Sequence, residues 1–473
     1  MDLGIDRQAP VPVVQQIVSA LAAWIRESGV SPGTRLPSVR QLAHDNLLGQ
    51  SCVNEALERM VAEGVLVPRQ GSGFSVAGSA RDGREGEMPW YEGAELGWGA
   101  FTDNQLGELK LGCGWLPDNW RESDAISYAI REVARTDTAG LFNYSTPLGL
   151  PALREQLARR LNHIRVATCV EHILTTGGAA HARDLLIRAL LKSGDTALVE
   201  SPGHGNLYRQ LAFHGIRLLA VPRTQTGPDI TALEALLHEH RPRCLFISSL
   251  YHNPTGSSLS FGIAERLLEL ARSRDFFIIE EDMYGDLQHT TCTRLAAMPH
   301  GGRVIYVSGF SRTLSSALRV RYLTASAAVI EQLVAVKTFT GMGTSRFAET
   351  VVATLLANGA YRKGVQRLRR RLGVEMASTL QVLEDEEWEV FVAPAGGMFV
   401  WARPGVGDRS RLQVRARRLG VLLWPGHLFC PGDEPVDWIR INVAYASDQR
   451  ALLLFKAMGP TGSTSTFLKT TSG

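Results

Sequence analysis

The sequence predicts an α/β protein in which a small N-terminal domain precedes a large domain built on a mostly parallel sheet. Within the first eighty residues, three helical patterns are followed by a hairpin pattern. From about Lys110 onward, short apolar runs alternate with amphipathic segments, which is typical of parallel strands covered by helices. The 473 residues are 45% hydrophobic and 21% charged, as in ordinary globular proteins large enough for several domains.

The small domain begins with a helix predicted from apolar residues at helical spacing between Val14 and Ile25. A second helix over about 39–44 follows Ser38, a predicted N-cap, and Gln41 three residues later completes a capping box. A third helix begins near Gln50. The short turn between the second and third helices is the arrangement of a helix-turn-helix.

A hairpin follows these helices. Apolar residues at 65–67 and 74–76 enclose the glycine-rich segment 69–73, which predicts two short strands joined by a tight tip. Three helices and a hairpin predict a winged helix-turn-helix, which is a DNA-binding fold. The net charge of +3 does not by itself indicate a nucleic-acid-binding protein, so any such role must come from local basic residues.

The segment PGTRLPSVRQLA at 32–43 resembles the GntR family of bacterial repressors. Arginines and a capped helix N-terminus suit phosphate, although isolated arginines are more often solvated surface charges. One departure is that 49–52 reads GQSC where the family usually has Ser-Arg-x-Thr, so one cation is missing. The residues expected to contact DNA are Arg35, Ser38, Arg40, Gln50, Ser51, Arg69, Gly71 and Gly73.

In the large domain, several predicted strands end in small or polar residues. Apolar runs near 173, 197, 244, 276 and 304 are followed by TGGAA at 176–180, PGH at 202–204, HNPTG at 252–256, EEDMY at 280–284 and SRTLSSALR at 311–319. Ligands of open α/β sheets bind where strands end. Small residues at the start of a helix, as in TGGAA, let backbone N–H groups bind an anion. The sequence Asn-Pro-Thr-Gly is typical of a turn.

The order of these motifs over about 110–456 resembles the fold-type-I aminotransferases, which use pyridoxal phosphate. The resemblance implies that Gly178, Ala179, Ala180, Ser311 and Arg319 hold the cofactor phosphate. It implies that the ring is contacted by His204, in place of the usual tyrosine, and by Asn253, Asp282 and Tyr284. It also implies that Arg440 binds the substrate carboxylate, although a lone arginine on a strand is more often part of a surface ion pair.

Arg312 stands where that family has the lysine that forms the Schiff base. A guanidinium, which stays charged, cannot supply the neutral primary amine that this linkage requires. Arg321 stands where the family often has glycine, which adds bulk and charge. We therefore expect pyridoxal phosphate to bind without a covalent bond if it binds, alone or as a preformed Schiff base with an amino acid. A different anionic ligand is the alternative.

Together the two domains resemble the MocR subgroup of GntR regulators. The resemblance implies a transcription regulator that senses pyridoxal phosphate, an amino compound or a related anion, and a domain-swapped homodimer. A working aminotransferase that uses another lysine, such as Lys337, and an arginine engineered in place of a native lysine at 312 are the alternatives.

The expected domains are a winged helix-turn-helix at 1–78, a linker at 79–107, the aminotransferase-like sensor at 108–456 and a flexible tail at 457–473. Six scattered cysteines without a Cys-x-x-Cys pair indicate reduced thiols in a cytoplasmic protein and give no reason to expect a zinc site. No apolar run is long enough to predict a membrane span, and no basic run followed by an apolar one suggests a secretory signal.

Overall fold

The computed structural model describes residues 3–6, 11–27, 33–62, 65–69, 73–76, 108–121, 123–288, 292–405, 411–432 and 436–459. The chain divides into two compact units, Met1–Glu92 and Gly93–Gly473. The predicted linker at 79–107 and the predicted tail from 460 onward lie outside the described residues. The first two residues of the expected tail, 457 and 458, are still helical.

The small unit has the winged helix-turn-helix fold that the sequence predicts. Its elements are α1 (Val13–Glu27), α2 (Val39–Asp45), α3 (Gln50–Ala62), β1 (Leu66–Arg69) and β2 (Gly73–Val76). The helices form because their apolar residues repeat on one face, and these residues share one core in which Ile17, Leu21, Leu42, Val53 and Leu57 are fully buried. The strands pair antiparallel, with Leu66 opposite Val76.

The start of α2 is capped by one hydrogen bond rather than by the predicted reciprocal pair. Ser38 Oγ accepts from the backbone N–H of Gln41 at 3.2 Å. The Gln41 side chain instead donates to Asp45 Oδ1 at 2.7 Å, four residues along the same helix. The predicted capping box is therefore wrong in its second half, because neighbours at i and i+4 share one helix face and Asp45 offers a charged acceptor.

The large unit contains an eight-stranded mixed sheet. Its order is β3-β10-β9-β8-β7-β4-β5-β6, in which β9, β8, β7, β4 and β5 run parallel and β10 runs antiparallel between β9 and β3. The strands are β3 (Ile173–Thr176), β4 (Thr196–Ser201), β5 (Arg217–Thr224), β6 (Gly227–Pro228), β7 (Cys244–Ile247), β8 (Phe277–Glu281), β9 (Val304–Gly309) and β10 (Arg321–Thr324).

Helices of the large unit alternate with these strands and continue beyond them. They are α4 (Ser123–Thr136), α5 (Thr138–Phe142), α6 (Pro151–His163), α7 (Ala179–Leu190), α8 (Gly205–Phe213), α9 (Ile230–Glu239), α10 (Phe261–Arg274), α11 (Ala327–Gly341), α12 (Arg346–Ala357), α13 (Ala360–Asp385), α14 (Leu412–Arg418) and α15 (Gln449–Met458). Two apolar clusters, one holding Ile279 and one holding Ile278, pack on opposite faces of the sheet, so the central strands are buried on both sides.

A smaller antiparallel sheet completes the large unit. It has the order β11-β12-β14-β13 and consists of β11 (Trp388–Val390), β12 (Phe399–Pro404), β13 (Trp424–Pro425) and β14 (Ile439–Asn442). The predicted fold class, a winged helix-turn-helix with an α/β domain and a smaller C-terminal α+β subdomain, is confirmed. Within the described part of the chain, no helix has the length and apolar character needed to cross a bilayer.

Candidate functional site

A cavity of the large unit lies where β4, β7, β8 and β9 reach their carboxyl ends. It has two connected parts. The inner chamber is lined by residues that include Arg183, Glu281 and Arg321, and the outer chamber by residues that include Trp424 and Arg440. Both chambers share His204, Asn253 and Arg312. Because parallel strands present their carboxyl ends at one edge of a sheet, motifs far apart in the sequence meet here.

Some of the residues predicted to surround a cofactor do line the inner chamber. These residues are Ala179, His204, Asn253, Tyr284 and Arg312. Tyr284 packs edge to face on Phe399, with ring centroids 5.6 Å apart. The structure thus brings the ends of β4, β7, β8 and β9 together around one space, as the order of the motifs suggested.

Three of the predicted phosphate residues, Gly178, Ala179 and Ala180, lie at the start of α7. Gly178 caps this helix with a φ of 98°, and a Cβ there would stand 2.5 Å from the Arg319 guanidinium carbon. A side chain at 178 would therefore collide with Arg319, which lies directly against the helix N-terminus. Of this predicted set only Ala179 lines the inner chamber, whereas Ala180, Ser311 and Arg319 stand outside its lining.

Asp282 does not face the cavity, contrary to the role expected for it. Its Oδ2 accepts from Arg294 Nε and from the Tyr306 hydroxyl, each at 2.7 Å. Successive side chains of a strand point to opposite faces, so Glu281, one residue earlier, takes the position on the cavity side. Asp282 is thus not among the residues that line the chamber, its Oδ1 has no hydrogen-bond partner among the described residues, and its contact with a ring nitrogen stays a prediction.

Glu281 is already paired inside the chamber. Arg183, on α7, donates from Nε and Nη2 to its two oxygens at 2.7 and 2.8 Å. Burial alone would raise the pKa of Glu281, but the guanidiniums of Arg183 and Arg321 lower it far below its ordinary value. The carboxylate is thus ionised, and both of its oxygens are engaged by a cation. Neither Arg183 nor Glu281 was predicted as a site residue.

Arg312 follows β9 and faces both chambers. Its Nη1 donates to the carbonyl oxygen of Gly114. No lysine is found among the residues that line either chamber. Lys337 lies elsewhere, where its ammonium donates to the carbonyls of Pro147 and Thr175 at 2.6 and 2.8 Å. The cavity, as lined by the described residues, therefore offers no amine to a carbonyl ligand.

Arg440, the predicted carboxylate-binding residue, lies in the outer chamber and is 6% exposed. Its guanidinium donates to Asn253 Oδ1 at 2.7 Å and twice to the carbonyl of Gly112. It also stands 4.6 Å from the ring centre of Phe399. Its hydrogen-bond partners in the described structure are neutral, and burial lowers its pKa to about 10, so it remains charged at neutral pH.

His204 contributes a neutral imidazole between the chambers. Its Nδ1 is buried and has no hydrogen-bond partner among the described residues. Burial, together with the nearby charge of Arg183, holds the pKa of His204 well below its ordinary value. The ring can therefore pack on a ligand or accept one hydrogen bond, but it adds no positive charge.

In the small unit, five of the residues predicted to contact DNA have exposed side chains. Arg35, Ser38, Arg40, Gln50 and Ser51 are all exposed, and the last two open α3. Arg69 is the last residue of β1, and Gly73 begins β2 with a φ of 87° that favours glycine. Gly71 lies outside the described residues.

Comparison with known proteins accounts for both units. Residues 107–455 match the class I and II aminotransferases, and residues 13–76 match the bacterial regulatory proteins of the gntR family. The chain belongs to the class I and II aminotransferase family and carries an N-terminal GntR-family domain. It is therefore a GntR-family regulator fused to an aminotransferase-like domain, an architecture like that of the MocR group.

Relatives of similar length are named as regulators. The chain is 27% identical to the uncharacterized HTH-type transcriptional regulator YisV of Bacillus subtilis, over 93% of this chain and 94% of that protein. It is 24% identical to the HTH-type transcriptional regulator NorG of Staphylococcus aureus, over 88% and 96%. This likeness spans both units of the chain.

Other relatives are enzymes that match the large unit. A 2-aminoadipate transaminase of Thermus thermophilus is 29% identical, over 69% of this chain and 83% of the enzyme. The crystal structure of LysN, an alpha-aminoadipate aminotransferase of the same species complexed with N-(5'-phosphopyridoxyl)-L-leucine, superposes with a TM-score of 0.69. It is 26% identical and covers 76% of this chain and 95% of its own.

Pyridoxal phosphate, the cofactor of this fold, fits the described site only in part. Arg319 and the amino end of α7 suit its phosphate. The ring and the linkage do not fit, because Arg321 lines the chamber and the described residues of its lining include no lysine. The acid that faces the chamber, Glu281, has both oxygens bound to Arg183. We therefore assign no chemical step to this cofactor in the present chain.

Proposed function

We propose that the chain is a DNA-binding transcription regulator whose aminotransferase-like domain binds a small anionic ligand and does not catalyse transamination. The observation that carries this proposal is Arg312 at the end of β9, in a cavity whose described lining contains no lysine. Transamination needs an amine that forms a Schiff base and moves a proton at the substrate carbon. A guanidinium does neither at neutral pH.

The surroundings of Lys337 argue against a working enzyme that uses another lysine. Its ammonium is fully buried and bound to two backbone carbonyls, away from both chambers. An arginine engineered at 312 would leave the rest of the cavity suited to pyridoxal phosphate. Arg321 and the pair formed by Arg183 and Glu281 support natural divergence instead.

The same proposal includes the roles of individual residues, the ligand, the cellular compartment and the oligomeric state. The exposed residues at the start of α2 and α3, with the wing, contact DNA, and Arg440 holds an acidic group of the ligand in the outer chamber. Pyridoxal phosphate without a covalent bond, or an amino compound, is the alternative occupant. The protein acts in the cytoplasm, where its DNA is, as a homodimer that exchanges domains between subunits.

DNA binding is tested with the full chain and a labelled duplex, measured by fluorescence anisotropy over a range of salt concentrations. Arg40→Ala should weaken binding and reduce the slope of log K against log salt by about 1, the loss of one phosphate contact. Arg59→Ala is the matched control, because it removes an equal charge from an exposed position at the other end of α3. Equal effects of the two substitutions would contradict the proposal that Arg40 lies on the DNA-binding surface. Failure of the wild type to bind DNA would contradict the proposed regulatory function.

A further inference from the structure

Arg321 is a buried cation without a hydrogen bond in the described structure. It is 1% exposed, and its Nε, Nη1 and Nη2 have no hydrogen-bond partner among the described residues. The nearest carboxylate oxygen, Glu281 Oε1, is 3.8 Å from its Nη2 and is already bound by Arg183. Such an arrangement is costly, because a buried charge normally has both an ion pair and hydrogen bonds.

The backbone is shaped to hold this side chain in the chamber. Arg321 begins β10 and lies opposite Gly309 of β9 in the antiparallel pair. A Cβ at Gly309 would stand 2.8 Å from Arg321 Cγ, so only glycine leaves room for the arginine stem. Arg321 is among the residues that line the inner chamber. The side chain is therefore directed toward the space in which a ligand would lie.

The charges around the cavity do not balance. Arg183 offsets Glu281, and a buried Arg223 offsets Glu200 in the same way. Arg321 and Arg312 then remain in the inner chamber without a carboxylate hydrogen bond in the described structure. Low solvent exposure strengthens the attraction of any anion that enters.

A third guanidinium extends this excess of positive charge into the outer chamber. The point where a Cβ of Gly114 would lie is 3.5 Å from Arg440 Nη2 and 3.7 Å from Arg312 Nη2. Arg312 therefore stands close to Arg440 and also lines the chamber that holds Arg321. Arg321 lines only the inner chamber and Arg440 only the outer one, whereas Arg312 lines both.

We infer that this cavity binds a small dianion, with one acidic group paired to Arg321 and the other placed between Arg312 and Arg440. The inference rests on the proposed ligand-sensing function and names its ligand class. The two acidic groups are carboxylates or phosphates, since the planar fork of arginine pairs with either one through two hydrogen bonds. An aldehyde or an amine on the ligand is not needed, because the described cavity has no lysine to react with it.

Calorimetry of the full chain tests this inference with succinate, glutarate, phosphonoacetate and butyrate. The first two carry two carboxylates, the third carries a carboxylate and a phosphonate, and butyrate carries a single carboxylate. At least one dianion should bind about tenfold or more tightly than butyrate, as expected for an added charged hydrogen bond. The preferred probe then distinguishes a dicarboxylate ligand from a phosphorylated one.

Arg321→Met should weaken the preferred dianion at least tenfold, whereas the control Arg266→Met, at an exposed ion pair on α10, should not. Arg321→Met should also melt no lower than the wild type without ligand, since it removes a buried cation that lacks a hydrogen bond. If this variant does not fold, Arg321→Lys keeps the charge but loses the fork and should bind more weakly. Unchanged affinity in the folded variant, or no binding of any dianion by the wild type, would overturn the inference.

These results are separable from the proposed function. DNA binding and the absence of a pyridoxyl adduct on any lysine test the proposed regulatory function, and neither result depends on Arg321. Binding of pyridoxal phosphate that is unaffected by Arg321→Met, with no dianion bound, would overturn only the ligand class. If the wild type does not bind DNA, the proposed regulatory function is wrong, but the inference of a dianion site is unaffected.

Discussion

Arg183 on α7 forms a bidentate ion pair with Glu281 at the end of β8. Its Nε and Nη2 donate to the two carboxylate oxygens at 2.7 and 2.8 Å. Both side chains are almost fully buried. The pair joins the helix and the strand that border the inner chamber, and each oxygen of the acid already accepts a hydrogen bond from Arg183. Arg312 and Arg321 line the same chamber, and this excess of arginines over carboxylates supports the proposal that the chamber binds an anion.

Restoring an amine should require two substitutions. In Arg312→Lys alone, Arg321 still fills part of the chamber, so pyridoxal phosphate should produce little or no visible absorbance from a Schiff base. The double variant Arg312→Lys with Arg321→Gly supplies the amine and removes the bulk and charge. We expect it to gain an absorbance band that borohydride removes.

The control for this experiment is Arg266→Lys, which adds a lysine at a partly exposed surface position. It should show only the weak background expected of surface lysines. A full band from Arg312→Lys alone would mean that Arg321 does not obstruct the cofactor. A double variant without a band would mean that other residues, such as the pair of Arg183 and Glu281, exclude it.

Asp282 should stabilise the fold rather than bind the ligand. Asp282→Asn leaves Arg294 as a buried cation without its carboxylate, so the free energy of unfolding in urea should fall by about 3 kcal/mol. The affinity for the preferred dianion should not change. Glu389→Gln, which breaks a partly exposed pair with Arg403, is the control and should cost less than about 1 kcal/mol. A changed ligand affinity with an intact fold would place Asp282 in the site after all.

Lys337 should make the stability of the protein depend on pH in the alkaline range. Burial lowers its pKa from 10.5 to about 8, so between these values the unfolded chain binds more protons than the folded one. The free energy of unfolding should therefore rise as pH increases through this window. Lys337→Met should lose that rise, and it should be less stable at high pH because two buried carbonyls lose their donor. Identical pH profiles of the two proteins would contradict a buried lysine of lowered pKa.

Much of the fold could be predicted because its signals are local. Apolar periodicity marks α1 and α3, and short apolar runs mark β7, β8 and β9. The position of β10 could not be predicted, because the antiparallel pairing of Arg321 with both Gly309 and Thr176 depends on distant partners.

The site was harder to predict than the fold. Strand β8 is buried on both faces, so no alternation of polar and apolar residues shows which of Glu280, Glu281 and Asp282 faces the cavity. The alternation of side chains along a strand places Glu281 on the face opposite to Glu280 and Asp282. It does not show which of the two faces lies toward the cavity. Arg183 gave no signal in the sequence, since its partner lies 98 residues away. The unusual residues at 312 and 321 were visible because they break a motif.

We propose that this cavity forms no covalent bond with pyridoxal phosphate, and borohydride reduction followed by peptide mass mapping tests this proposal. The wild type is incubated with pyridoxal phosphate, reduced and digested, with Arg312→Lys plus Arg321→Gly as the positive comparison. We predict no stoichiometric pyridoxyl adduct on any lysine of the wild type and an adduct at position 312 of the double variant. A stoichiometric adduct on Lys337 or another lysine of the wild type, released by an amino acid before reduction, would show that the domain has a working Schiff-base lysine.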